Sequence, residues 1–237
     1  MNFKGFLIIA MLSAAVTLPI AIRLSFVDKI AQSLNIKPDE RIKAAFSPLR
    51  AKKVDVAQIL KTKKCNGCDL SGIDLSDKDL SGADFRNANL SGANLTKTKL
   101  KDAKMSGVRL NQAKLMYADL DGGDFKNAEF KGADLSNAQM LNADLTKANL
   151  SMAILKSTEL RDTNLMGANL TGANMTQASL VGAQMSEANL TNTNLSNALM
   201  RYANLSKATL KQTNLEGADL NLAIMPDGTS PYGTTQY

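Results

Sequence analysis

The sequence predicts an all-β solenoid, a chain wound into stacked coils, and three observations carry that prediction. Starting at Leu70, every fifth residue through Met225 is Leu, Met or Phe: 32 consecutive positions without a register slip, 23 of them Leu, six Met and three Phe. Two residues before each, the chain carries Ala at 22 of the 32 positions and Thr at five more. No proline lies between Pro48 and Pro226, so every backbone N–H in between is free to join a ladder between coils. A spacing of five fits neither a strand nor a helix, on which it drifts by about 140° per step and sprays apolar residues over every face. It fits a chain that turns a corner every five residues, with Leu and Ala pointing into a narrow shaft. The Asn, Asp, Ser, Thr and Gly residues then face outward at the bends, where Gly, Asn and Asp tolerate the dihedrals of a corner. In such a solenoid each coil contacts only its neighbours.

Composition narrows the chemistry. Aromatics make up only 5% of the 237 residues, so the core must be thin and filled with mid-sized aliphatics. There is no His and no Trp, which excludes imidazole acid–base catalysis, His-ligated metals and Ser–His or Cys–His nucleophilic pairs. Two Cys, three residues apart, supply neither a four-thiolate zinc site nor a disulfide framework. The expectation is a protein that is no enzyme and carries no cofactor. The net charge of +6 suggests nucleic acid until it is divided: residues 1–65 carry +8 and residues 66–237 carry −2. A nucleic-acid footprint should be a basic stripe on the folded domain, and the near-neutral repeat region implies none.

Ahead of the repeats the chain divides into three pieces. Residues 1–24 hold an apolar run, Gly5–Ile22, broken only by Ser13, Thr17 and Pro19 and flanked by Lys4 and Arg23. That is long for a signal-peptide core and just long enough to span a bilayer, so it reads as a cleaved signal or an uncleaved anchor. Arg23, Lys29 and Lys37 follow it, and positive-inside logic would hold them in the cytoplasm. Residues 25–54 form a basic linker with Pro38, Pro48 and six basic residues from Lys37 to Lys53, read as a solvated tether or a contact with anionic lipid. Residues 55–64 predict a short helix in which Asp55 caps the N-terminus and Gln58 reaches back, plugging one end of the solenoid. The repeats occupy 65–227. Met225-Pro226-Asp227-Gly228 reads as the turn that ends the last coil, and 228–237 is a polar tail.

Triplets such as Ala83-Asp84-Phe85, Ala93-Asn94-Leu95 and Ala168-Asn169-Leu170 resemble the A(D/N)LXX motif of the pentapeptide-repeat proteins. The resemblance implies a right-handed quadrilateral β-helix with four repeats per coil, hence about eight coils and a rod roughly 40 Å long. It also implies an interaction scaffold rather than a catalyst. The family's DNA-mimicking members, which protect DNA gyrase, are strongly acidic, cytoplasmic rods; a body at −2 behind an apolar leader fits that activity poorly. The leader together with Lys63-Lys64-Cys65-Asn66-Gly67-Cys68-Asp69-Leu70 looks like exported cyanobacterial members, some of them thylakoid-lumenal. The expected location is therefore the periplasm or thylakoid lumen, with membrane contact through residues 5–22 where these are retained. The partner expected is an unknown protein, and the oligomeric state stays open.

Four sets of residues stand out against the repeat. Leu70, Leu75, Leu80, Phe85, Leu90, Phe125, Phe130 and Leu170 define the core ladder. Cys65 falls on the Leu phase and Cys68 on the Ala phase, so both thiols should point into the first coil, as small buried hydrophobes or as a structural disulfide. A redox role through this pair is the alternative, but a catalytic C-x-x-C opens a helix and this one follows a helix. Lys97, Lys99, Lys101, Lys104, Arg109 and Lys114 form a basic coil between acidic ones, expected to pair charges across coils or to bind an anion. Finally, Leu141, Val181, Leu199, Tyr202 and Leu222 fall on one face of a twenty-residue coil and form the candidate partner face. Lys78, the one charged residue in an Ala phase, must snorkel outward or break the first coils.

Overall fold

In the computed structural model, residues 56–231 are described, and the leader assignments, the Asp55 cap and most of the tail lie outside them. The repeat region builds its ladder one residue per side: 29 isolated parallel bridges run from Lys64 to Ile224, and each joins residue n to residue n+20. Twenty residues therefore close one turn, and four repeats make its four sides. Each side is held by bonds in both directions along the rod. Leu75 donates to the Asn94 carbonyl at 2.8 Å, and Asn94 donates back to the Ile73 carbonyl at 2.8 Å.

The corners explain the polar half of the motif. The carbonyl of each inward residue accepts the N–H three residues on, as Phe85 does from Ala88 at 3.0 Å. The third residue of that turn has a positive φ, 59° at Asn87, which is the signature of a type II turn. Among the described residues, twenty-one non-glycine corner residues adopt this conformation, among them Tyr117, Met152 and Leu222. The stacked register therefore imposes the corner even on side chains that locally disfavour it. Where Asp or Asn precedes the inward residue, its side chain locks the turn from outside. Asp74 Oδ1 accepts the Ser76 N–H at 3.0 Å and its hydroxyl at 2.7 Å, and Asn169 holds Thr171 in the same way. An Asp or Asn two residues before Ser or Thr is thus an Asx turn repeated along the rod.

Inside, Leu75, Leu80, Phe85, Leu90, Phe125, Phe130 and Leu170 are all fully shielded, with Leu70 at 2% exposure. From Leu80 to Ala208 every inward position is buried. The Thr residues of the Ala phase carry a hydroxyl into this shaft without orphaning it. Thr98, Thr158, Thr163 and Thr193 each donate at 2.8 Å to the carbonyl 23 residues earlier. Gly123 stands where the repeat otherwise has Ala because Phe125 needs the space: a Cβ there would lie 2.4 Å from Phe125 Cε2. Phe125 in turn packs against Phe130 with ring centroids 5.5 Å apart.

The two ends differ. Helix α1, Val56–Thr62, precedes the first coil and buries Ile59 to 3% exposure. Lys63 continues from it, donating its N–H to the Ile59 carbonyl at 2.7 Å while its ammonium reaches Asp79 at 3.3 Å and the Ser81 carbonyl at 3.1 Å. Lys78 is exposed and the ladder beside it is regular: its N–H meets Leu75 at 3.3 Å and its carbonyl accepts Lys99 at 2.9 Å. It sits in the first coil, where the Ala phase is the outermost inward row. At the other end Leu210, Leu215, Leu220 and Met225 are only half-buried. The chain leaves through the turn read from Met225-Pro226-Asp227-Gly228, where Gly228 donates to the Met225 carbonyl at 2.9 Å.

Candidate interaction surfaces

The first surface is the first corner. Cys65 and Cys68 are joined by a disulfide with their Cα atoms 5.4 Å apart. The bond spans the same turn that every repeat makes, because the Cys68 N–H meets the Cys65 carbonyl at 3.3 Å around Asn66 and Gly67. Cys65 is 9% exposed and Cys68 is half-buried, and neither faces a helix N-terminus. Thiol titration of the unfolded chain should find no free thiol before reduction and two after it.

The basic coil is stacked as the phase implied. Lys99 lies between Asp79 and Asp119, Lys104 between Asp84 and Asp124, Arg109 between Asn89 and Glu129, and Lys114 between Asn94 and Asp134. The expected contact pairs do not form. Among the described residues, the ion pairs are Lys63–Asp79, Arg86–Asp84, Lys126 with Asp124 and Asp144, Arg161–Glu159 and Arg201–Asp219. Pairing instead favours a neighbour two residues away, inside one Asx turn, or a neighbour 18 residues on. The residue directly above is bonded by short amides instead, as Asn89 Nδ2 donates to Asp69 Oδ1 at 3.0 Å and Asn94 Nδ2 to Asp74 Oδ1 at 3.1 Å. The six cations occupy all four sides and two corners, so they encircle the rod and present no single anion site. Nearby Asp121 is the exception among the carboxylates: burial pushes it up, although its Oδ1 accepts the Leu141 N–H at 2.7 Å.

The candidate partner face separates into two parts. Leu141 and Val181 are half-buried, and their column along the rod carries Arg161 and Arg201 at alternate coils, which interrupts the strip. Leu199, Tyr202 and Leu222 are 49%, 60% and 56% exposed, and they gather at the C-terminal end of that side. Ile224, 43% exposed, adds to them around the corner. Sequence reading missed Ile224, although its place directly before the inward Met225 marks it as outward-facing. Farther along the rod, Met152 lies over Gly172, where a Cβ would meet its sulfur at 2.7 Å. Among the described residues no cluster of His, Cys, Asp or Glu converges to hold a metal, and no helix is long and apolar enough to cross a membrane.

Comparison with solved structures finds the same coil. A trypsin-treated variant of QnrB1, a plasmid-mediated fluoroquinolone resistance protein, superposes with a TM-score of 0.61 at 22% identity, covering 69% of this chain and 89% of that one. That likeness concerns the fold, and such structural neighbours are right-handed β-helices. HetL, a pentapeptide repeat protein involved in heterocyst differentiation regulation from the cyanobacterium Nostoc sp. strain PCC 7120, is 28% identical over 75% of this chain and 99% of its own, with a TM-score of 0.31. A pentapeptide repeat protein of the Arabidopsis thaliana thylakoid lumen is 29% identical over 56% of this chain and 68% of its own, with a TM-score of 0.13. At those scores neither bears on the geometry. No curated protein matches the chain. The family model for pentapeptide repeats matches residues 64–102, 93–132, 124–162, 163–201 and 188–225, which together span the whole coil. The chain belongs to the pentapeptide repeat family.

Proposed function

We propose that this protein is a non-catalytic β-helical scaffold, exported or held at a membrane by residues 1–24, that presents its outer sides to a protein partner. One observation carries this reading: every inward position from Leu80 to Ala208 is occupied and buried, so the shaft has no room for a substrate and recognition falls to the outside. On the outside, the exposed group Leu199, Tyr202, Leu222 and Ile224 supplies apolar area on a backbone fixed by the coil ladder. Rigid aromatic and aliphatic side chains of this kind cost little conformational entropy when they are covered. Val181 and Leu141 extend the same side between arginines, which suits a partner with carboxylates spaced along the rod.

Two measurements test the proposal. Fractionation of a tagged full-length chain should place it outside the cytoplasm or with membranes; purely cytoplasmic material overturns export. Crosslinking in the native compartment should then capture a partner that is lost when Val181 and Leu199 are replaced by Lys, with the melting curve unchanged. A partner retained by that double variant removes this side of the rod from the interaction.

A further inference from the structure

An ordinary corner advances the chain to the next side of the coil, and the last corner turns it back. In the ordinary corner the third residue of the turn carries the positive φ, as Lys207 does at 60°. After Met225 it is the fourth residue, Gly228 at 84°, and the bonds change with it. The Met225 carbonyl accepts the Gly228 N–H at 2.9 Å, while the Met225 N–H donates to the Thr229 carbonyl at 2.7 Å. Asp227 Oδ1 accepts the Thr229 N–H at 2.9 Å and its hydroxyl at 2.7 Å. A Pro-Asp-Gly loop closed in this way is a three-residue hairpin with a bulged glycine. The chain leaves it antiparallel to the side it has just built.

Pairing along that first side is short. Ala223 already donates its N–H to the Leu220 carbonyl at 3.0 Å, and Pro231 has no N–H to offer. The next side back, at residues 218–222, has an open edge. Among the described residues, the N–H groups of Leu220 and Leu222 have no partner, whereas Met200 and Tyr202 one coil earlier donate to the Asp219 and Asn221 carbonyls at 2.8 and 3.1 Å. The Ala218 carbonyl lies on the same edge, and its counterpart Ala198 accepts the Asp219 N–H at 2.9 Å. Leu220 is half-buried there, although Met200 is fully shielded. Beside the turn, the Ser230 hydroxyl oxygen is buried and unpartnered. An open sheet edge beside exposed aliphatics is a surface that folded proteins cover.

We propose that residues 232–237 return beneath the last coil and add an antiparallel strand to its side at 218–222. The hairpin turn sets the direction, and the segment begins where the edge is open. Extended, its six residues span about 20 Å, more than the five residues of one side need. Tyr232, Thr234, Thr235 and Tyr237 favour strands, no residue of the segment carries a charged side chain, and Pro231 stands before the strand and not inside it. A strand from a separate protein could make the same bonds, but binding it costs translational freedom that the tethered tail has already lost. The strap passes beneath Leu222 and so borders the exposed group of Leu199, Tyr202, Leu222 and Ile224. The sides at 208–212 and 213–217 stay open.

The test is amide hydrogen exchange on the full-length chain in detergent micelles, read residue by residue by NMR. Leu220 and Leu222 should exchange at least about tenfold more slowly than Leu210 and Gln212, their equivalents on an open side. Deleting residues 232–237 should bring all four to one rate. Thr234→Pro should do the same, because it keeps the length of the tail and removes a donor from the middle of the strand. Equal rates in the parent overturn the proposal. Slow exchange at Leu220 and Leu222 that survives the deletion overturns it as well, by placing other residues on the edge. Slowing that appears only as the protein concentration rises also overturns it, since the cover is then a second molecule.

Discussion

The two ends of the rod are built from the same five-residue unit and finish differently. In the first coil Leu70, Leu75 and Leu80 are at most 2% exposed, because α1 lies beyond them and the Cys65–Cys68 bond ties the first corner. In the last coil Leu210, Leu215 and Leu220 occupy equivalent places and remain half-exposed. A repeat therefore does not carry its own burial. Each inward residue is shielded by the coils on either side of it, and a terminal coil needs something that is not a repeat. The largest expected effect comes from removing that something. Ile59→Ala should cost about 3 kcal/mol, the usual range for an aliphatic truncated in a closed site, whereas Leu215→Ala at the open end should cost about 1 kcal/mol. Thermal unfolding followed by hydrogen exchange should show the Ile59 loss concentrated in the first coil. Equal costs at the two ends would mean that the C-terminal floor is as well covered as the N-terminal one.

This contrast also separates what a linear sequence displays from what it conceals. The phase of Leu70 to Met225 is a local property repeated 32 times, so the inward rows, the corners and the final turn at Met225 were all legible. The number of sides was not, because a five-residue period is compatible with any number of corners per turn; the bridges from n to n+20 supply it. The charge stacks followed correctly from a twenty-residue coil, but the ion pairs did not. A column of side chains such as Asp79, Lys99 and Asp119 fixes Cα positions and leaves the long side chains free to find Asx-turn neighbours. The partner strip failed in part for a similar reason. Leu141 and Val181 share a column with Arg161 and Arg201, and a face named from its apolar members alone omits the residues between them. The open C-terminal edge has no compositional mark at all, since Leu215 is spelled like any other inward residue.

The middle of the shaft offers a second comparison, between intrusion into a closed coil and intrusion into an open one. Gly123→Ala restores the commonest residue of its phase, yet it places a methyl 2.4 Å from the Phe125 ring inside a filled shaft. It should destabilise by about 2 kcal/mol, as overpacking of a tight core does. Adding Phe125→Leu to the same chain should recover most of that loss, a coupling readable in a double-mutant cycle by chemical denaturation. At the open end, Ala218→Val adds two methyls to a half-buried position and should cost under about 0.5 kcal/mol. Additive costs for Gly123→Ala and Phe125→Leu would break the assignment of that glycine to the ring beside it.

A smaller difference is expected from the threonines. Thr163 and Thr213 make the same bond, hydroxyl to the carbonyl 23 residues earlier, at 2.8 and 2.7 Å. Thr163 is fully buried and Thr213 half-buried. Replacing either with Val keeps the shape and removes the donor. The loss should be about 1 kcal/mol at Thr163 and less at Thr213, where water can take the hydroxyl's place. Equal losses measured by denaturant titration would show that solvent does not reach the last coil.

The smallest effects per residue are electrostatic, and they too divide the ends. In the first coil, hydrogen bonds from the Ser71 hydroxyl and N–H pull Asp69 below the usual carboxylate range, and those from Ser76 do the same for Asp74. Asp79 is brought to about 2, chiefly by the Ser81 N–H, and Asp84 to about 2, chiefly by the Arg86 guanidinium. At the C-terminal end only Asp219, held by Arg201, and Asp227, held by Thr229, are lowered. A carboxylate whose folded pKa is depressed contributes stability that is complete above its unfolded value near 3.8 and is lost as pH falls through the folded value. These groups should therefore leave the melting temperature flat from pH 7 to about 5 and lower it between about pH 4 and 2. Asp121, raised by burial, works in the opposite direction and only blunts the fall. With four lowered carboxylates in the first coil, acid should loosen that end first, so the methyl resonances of Leu75 and Leu80 should broaden before those of Leu215 and Leu220. Simultaneous loss at both ends would mean that acid acts through the whole coil, and that the Asx turns of the first coil add nothing of their own to its closure.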